Sequence, residues 1–227
     1  MTLRFSLKKL MGFVFIFLLL VYASPVHAEL QHTPASQQRF EDVSYWVKVF
    51  EDPERDAWQK PGEVVKALDL KRGDVVADLG AGTGYFTRRL AVAVGNEGKA
   101  IGLEVEPKMV EHMKKDADKL KLPNYLSKLI PYDDALLEPQ SVDMVFICDT
   151  YHHIENRVEY LKKLSKGIKK GGRVVVVDFH KKQLPVGPPP EHKLSEEIVL
   201  KEFHDAGYRV VRTHCILPYQ YFIEFGM

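Results

Sequence analysis

The run Val75-Val76-Ala77-Asp78-Leu79-Gly80-Ala81-Gly82-Thr83-Gly84-Tyr85-Phe86 constrains this chain more than any other stretch. An apolar, β-branched segment ends on an acid and passes through three alternating glycines into a helix-like sequence. That order places a side-chain-poor loop at the carboxyl edge of a parallel sheet, where open α/β folds bind their ligands. Glycine lets the backbone approach a ligand and adopt conformations closed to other residues. A phosphate-binding loop would need Lys followed by Ser or Thr after the glycines, and a dinucleotide fingerprint would need glycine where Tyr85 stands. The leading acid, Asp78, repels a pyrophosphate and suits a cationic ligand.

The rest of the chain supports such a sheet. Strand-like and helix-like segments alternate, as expected when helices cover both faces. Strands are predicted at 75–79, 100–105, near 126–132, at 142–148 and at 174–179. The predicted helices cover 86–94, a segment starting at Pro107 with the buried stripe Met109, Val110, Met113, Ala117 and Leu120, and a segment lined by Val158, Leu161, Leu164 and Ile168. Gly171-Gly172 reads as a turn before the fifth strand. Leu184 to Pro190 is a stiff surface loop that could close over a site. Ser195 is placed as the N-cap of a last helix ending at Gly207, followed by two strands, 208–217 and 220–225, joined by a tight turn. Ahead of the sheet, Phe40, Val43, Val47 and Phe50 mark an amphipathic helix over 36–50, and a polar segment carrying Trp58 leads to a short helix at Val64, Val65 and Leu68.

Asp-x-Gly-x-Gly-x-Gly after a first strand resembles motif I of the class I S-adenosylmethionine (SAM) dependent methyltransferases. The resemblance implies a Rossmann-like α/β fold, a seven-stranded mostly parallel sheet closed by an antiparallel hairpin, with SAM as cofactor. By that likeness Asp78, Gly80, Ala81, Gly82, Gly84 and Tyr85 border the methionine part, and Glu104, 20 residues after Gly84, receives the ribose hydroxyls. Asp133 or Asp134 contacts the adenine, and Asp149 completes the cofactor set. The likeness extends over roughly residues 55–227. The segments Arg55…Trp58-Gln59-Lys60-Pro61, Tyr151-His152-His153-Ile154, Gly187-Pro188-Pro189 and Leu217 to Phe222 narrow it to a bacterial group that often carries an export-type leader.

Cys148-Asp149-Thr150-Tyr151-His152-His153 leaves the fourth strand at the same edge as motif I. Imidazoles titrate near neutrality, so His152 or His153 is a candidate base toward an acceptor, with the loop hydrogen bond as the bland alternative. Tyr151 is a candidate aromatic wall beside the methyl, Trp58 a lid or packed loop residue, and His192, with His180, a weaker candidate near the proline loop. No metal site is expected, because adjacent histidines need further ligands. The reaction implied is in-line transfer of the sulfonium methyl to a small-molecule acceptor. The competing functions are a nicotinamide-dependent oxidoreductase, opposed by Tyr85, and a catalytically silent SAM-binding module.

The charge balance gives nucleic acid no support. Three of the 32 basic residues (Arg4, Lys8, Lys9) precede the first acid, Glu29, and the remainder of the chain is slightly acidic. Those three, the apolar run Met11–Tyr22 and the small residues ending at Ala28 have the parts of a secretory signal. At 12 residues the run is short of the roughly 20 of a membrane span, so cleavage after Ala28 competes with retention as an anchor. The expected organisation is a leader over 1–28, a cap over 29–62 and a methyltransferase domain over 63–227. Export to the periplasm or anchoring follows if the leader works, a cytoplasmic enzyme if it does not. The cysteines, Cys148 and Cys215, both lie in strand-like runs and read as buried free thiols.

Overall fold

A computed structural model describes residues 43–227. The expected leader over 1–28 and the start of the predicted first helix lie outside the described residues. Helix α1 occupies Val43–Phe50, with Val43, Trp46, Val47 and Phe50 half-buried on one face. Two short helices follow, α2 (Pro53–Gln59) and α3 (Pro61–Ala67), each with proline in its first turn, where a missing N–H costs nothing. Asp52 caps α2 by accepting from the Glu54 amide.

The sheet holds seven strands in the order β3-β2-β1-β4-β5-β7-β6. Strands β1 (Val75–Leu79), β2 (Lys99–Glu104), β3 (Tyr125–Leu129), β4 (Val142–Cys148) and β5 (Ile168–Phe179) pair in parallel, and β7 (Gln220–Gly226) inserts antiparallel between β5 and the edge strand β6 (Arg209–His214). The chain order therefore reverses between β1 and β4, which makes that crevice the switch point at which such sheets bind ligands. Helices α4 (Thr87–Val94) and α5 (Pro107–Leu120) pack with α3 on one face, while α6 (Arg157–Ser165) and α7 (Glu196–Asp205) cover the other.

The central strands read as unbroken apolar runs because both their faces are covered. Val174 to Val177 are completely buried and alternate between the two cores, each worth about 1.5–3 kcal/mol of apolar burial. Edge strand β3 is half exposed, which explains its weaker pattern in the sequence.

Four details depart from expectation. The Gly171-Gly172 turn is instead an irregularity inside a longer β5, where pairing with β4 jumps from Val142/Ile168 to Met144/Arg173; Gly171 at φ +79° absorbs the extra residues. The closing hairpin has a five-residue connection, 215–219, because β6 ends at His214. Cys215 falls in that connection and is exposed, while Cys148 is half-buried and both thiols are free. Leu120, at the last turn of α5, is exposed rather than part of its buried stripe.

Candidate functional site

The glycine loop leaves β1 at the switch point, and two of its glycines are required by close approach. At Gly80 (φ +72°) a β-carbon would run into the Thr150 side chain, and at Gly84 (φ +81°) into the Tyr125 hydroxyl. Thr150 Oγ1 in turn donates to the carbonyls of Gly80 (3.3 Å) and Cys148 (3.0 Å), so the loop and the end of β4 are tied together.

Acidic groups surround this loop. Asp78 is buried at the end of β1 and accepts from Thr87 Oγ1 at 2.6 Å. Burial pushes its carboxyl up to about 7, the Thr87 hydrogen bond opposing and the charge of Glu104 assisting. Glu104, buried at the end of β2, accepts from the Gly82 amide at 2.8 Å through one oxygen and from the Val105 (2.7 Å) and Glu106 (3.2 Å) amides through the other. Burial raises its pKa against those three bonds. Asp149 sits just past β4 with φ +53°. Burial raises it to about 6, with Arg55 lowering and Asp178 adding to the rise.

The N-terminal helices lie across the loop. The Phe50 ring faces Gly82, and Glu51 accepts from Thr83 Oγ1 (2.6 Å) and from both terminal nitrogens of Arg88 (2.7 Å each). Arg88 also reaches Asp116 of α5 at 3.1 Å. Tyr85 is buried between the guanidinium groups of Arg55 and Arg89, each 4.1 Å from its ring centre, and its hydroxyl donates to Asp56. Its side chain is thus committed to the cap, leaving its backbone to the loop. Arg55 also stands 3.5 Å from Asp149.

Past Asp149 the sequence cluster divides. Tyr151 is completely buried in the core beneath α7, its hydroxyl donating to Glu202 at 2.9 Å, so it packs the domain and forms no open wall. His152 pairs through Nδ1 with Asp178 at 2.9 Å, in a site where both side chains are almost wholly buried. Burial works against the imidazolium, but the Asp178 hydrogen bond and the charges of Asp178 and Asp149 outweigh it and raise the His152 pKa. His153 packs at a tilt against His152 with ring centres 4.1 Å apart and is exposed.

Other expected positions lie further out. Asp133 and Asp134 are both tied to Lys163 of α6, and Asp134 also accepts from the Leu136 amide at 2.8 Å. Trp58 packs against Phe179 (5.6 Å) and Tyr219 (6.5 Å), at the ends of β5 and of the hairpin connection, with Gly187 of the proline loop against the same Phe179 ring. His192 is exposed; its neighbour Lys193 is the buried one, donating to the Lys182 carbonyl at 2.9 Å. Among the described residues, no cluster of His, Cys, Asp or Glu is arranged to hold a metal ion.

Sequence reading missed Asp178, Arg55, Gln59 and Gln220. Asp178 had a signal: an acid ending the buried run Val174–Val177 at the carboxyl edge. Arg55, Gln59 and Gln220 stand in segments that carry the resemblance, but nothing along the chain shows that they meet, because distant segments come together here only through the fold.

Residues 70–215 match a family model described as a methyltransferase domain. Among curated proteins, the demethylmenaquinone methyltransferase of Bacillus mycoides is 28% identical over 127 residues, 54% of this chain and 51% of that protein. That of Alkalihalophilus pseudofirmus is 30% identical over 138 residues, 57% of this chain and 54% of that protein. The chain thus spans about half the length of the curated relatives it matches. A solved SAM-dependent methyltransferase from Aquifex aeolicus superposes with a TM-score of 0.75 at 30% identity, covering 81% of this chain and 97% of that one.

Proposed function

This chain belongs to the methyltransferase-domain family and is a SAM-dependent enzyme, and on that premise we propose that it methylates a small-molecule acceptor presented to the His152–Asp178 pair. The fit of the cofactor rests on charge and on space. Asp78, Glu104 and Asp149 lie about the glycine loop, where Arg88 and Arg89 are already paired with Glu51 and Asp56 and Arg55 stands beside Asp149, a balance suited to a positively charged ligand. Gly80 and Gly84 already abut side chains, so no bulkier residue fits the loop.

In this reading Glu104 receives the ribose hydroxyls with the lone pairs its backbone bonds leave free. Arg55 and Asp149, 3.5 Å apart and of opposite charge, match the α-carboxylate and α-ammonium of the methionine part. Asp133 or Asp134 borders the adenine. The cofactor supplies a sulfonium-activated methyl, which an acceptor lone pair displaces in line. Alignment and exclusion of water are the main tasks of the protein, and pre-alignment contributes about 7–11 kcal/mol in general. Asp178 holds Nδ1 of His152, leaving Nε2 to take a proton from the acceptor. Demethylmenaquinone, named in the relatives, is one acceptor to assay.

The observation that carries the reading is the set of buried acids gathered around Gly80–Gly84. Titration calorimetry of the full chain with SAM, S-adenosylhomocysteine and NAD tests it. Heat with both adenosyl ligands and none with NAD is expected; no heat with either adenosyl ligand would sink the proposal.

A further inference from the structure

Gln59 of α2 and Gln220 at the start of β7 are both buried, 0% and 2% exposed, although they lie 161 residues apart. A buried primary amide is unfavourable unless both its ends find partners. Here both do. Arg55 Nε and Nη2 donate to Gln59 Oε1 (3.3 and 3.2 Å), Gln59 Nε2 donates to Gln220 Oε1 (2.7 Å), and Gln220 Nε2 donates to Asp149 Oδ1 (2.5 Å). The 3.5 Å approach of Arg55 to Asp149 Oδ2 closes the circuit. Its polarity is set by its ends: a guanidinium only donates and a carboxylate only accepts, so each amide has one orientation that satisfies the chain.

We propose that Gln59 and Gln220 are positioning residues that hold the Asp149 carboxylate in place only while α2 is docked, so that closing the cap and completing the cofactor site are one event. Asp149 needs such support. Its backbone is in the left-handed region, and the carboxylate of Asp178 on β5 and the imidazole of His152 also act on it. Without the Gln220 amide, one oxygen of Asp149 loses its donor and only Arg55, itself carried on α2, restrains the other. The inference rests on the reading that Asp149 meets the α-ammonium of the cofactor.

The test compares two ligands of the full chain by calorimetry. S-adenosylhomocysteine carries the amino-acid moiety, and 5′-methylthioadenosine lacks it. Gln59→Leu and Gln220→Leu should each weaken S-adenosylhomocysteine about tenfold or more, the scale of a hydrogen bond to a charged group, and leave methylthioadenosine unchanged. The double variant should be no worse than either single one, because one relay is broken only once. Gln59→Glu keeps the size but cannot donate to Gln220, so it should give the same selective loss; it decides the matter if the leucine variants fail to fold. Equal weakening of both ligands, additive losses, or unchanged binding of S-adenosylhomocysteine would overturn the relay. A wild-type chain that binds neither ligand would instead overturn the reading of the cofactor site.

Discussion

At the scale of single residues, the His152–Asp178 pair makes the sharpest demand on experiment. Its imidazole is raised above the ordinary histidine value, with burial opposing and Asp178 prevailing, and only the neutral ring can accept a proton. Activity on an identified acceptor should therefore rise with pH through that raised pKa. Asp178→Asn should move the rising limb to lower pH and slow the plateau, and His152→Ala should cost about 10²–10⁴ in kcat. A pH–rate profile of the three proteins checks this; an unmoved limb in the Asn variant would remove His152 from the proposed role. The histidines were visible in the sequence. Their division of labour was not, since His152 differs from His153 in being buried and in reaching a carboxylate 26 residues away, both of which the fold decides.

At the scale of elements, the cap is fastened to the glycine loop by charge more than by apolar area. Helix α1 has no fully buried residue, whereas Glu51 engages Thr83 and Arg88 together and Arg88 continues to Asp116. These groups are partly buried, so their pairing outlasts moderate salt better than exposed pairs do. Glu51→Ala should release residues 43–60, seen as faster amide exchange there, while exchange in β4 and β5 stays unchanged. Equal acceleration across the sheet would mean that the cap is integral to the core. The amphipathic spacing in the sequence foretold α1. Which surface it would cover was not readable, because Thr83 and Arg88, the partners of Glu51 just past α1, come from the loop and helix behind β1.

At the scale of the whole molecule, the carboxyl edge gathers acids whose ionisation burial opposes. Asp78 titrates near 7 and Asp149 near 6 in the folded chain, against about 3.9 for an unperturbed aspartate. Between the unfolded and folded values the native state holds protons that the unfolded state has released. Stability should thus fall as pH rises from about 4 to 7. A cationic ligand favours the ionised acids, so SAM affinity should strengthen over the upper part of the same window. Asp78→Asn should flatten much of both trends. Denaturation midpoints and calorimetry from pH 4 to 8 measure them, and a SAM affinity independent of pH would contradict the coupling.

The sequence by itself determined what is local and periodic. Apolar runs and glycine spacing placed β1, β2 and β4, the loop after β1 and Glu104 at the end of β2, because each depends on neighbours along the chain, whereas the start of β5 and the end of β6 fell elsewhere. The tertiary structure alone decided which polar groups share a buried site. Arg55, Gln59, Asp149 and Gln220 meet because α2, the end of β4 and the start of β7 converge, with β7 next to β5 in the sheet. Tyr151 left the candidate site for the core because the turn after β4 points it beneath α7 toward Glu202. Hydrogen bonding and desolvation act through space, so a motif can announce a ligand while the groups that hold it remain scattered along the chain.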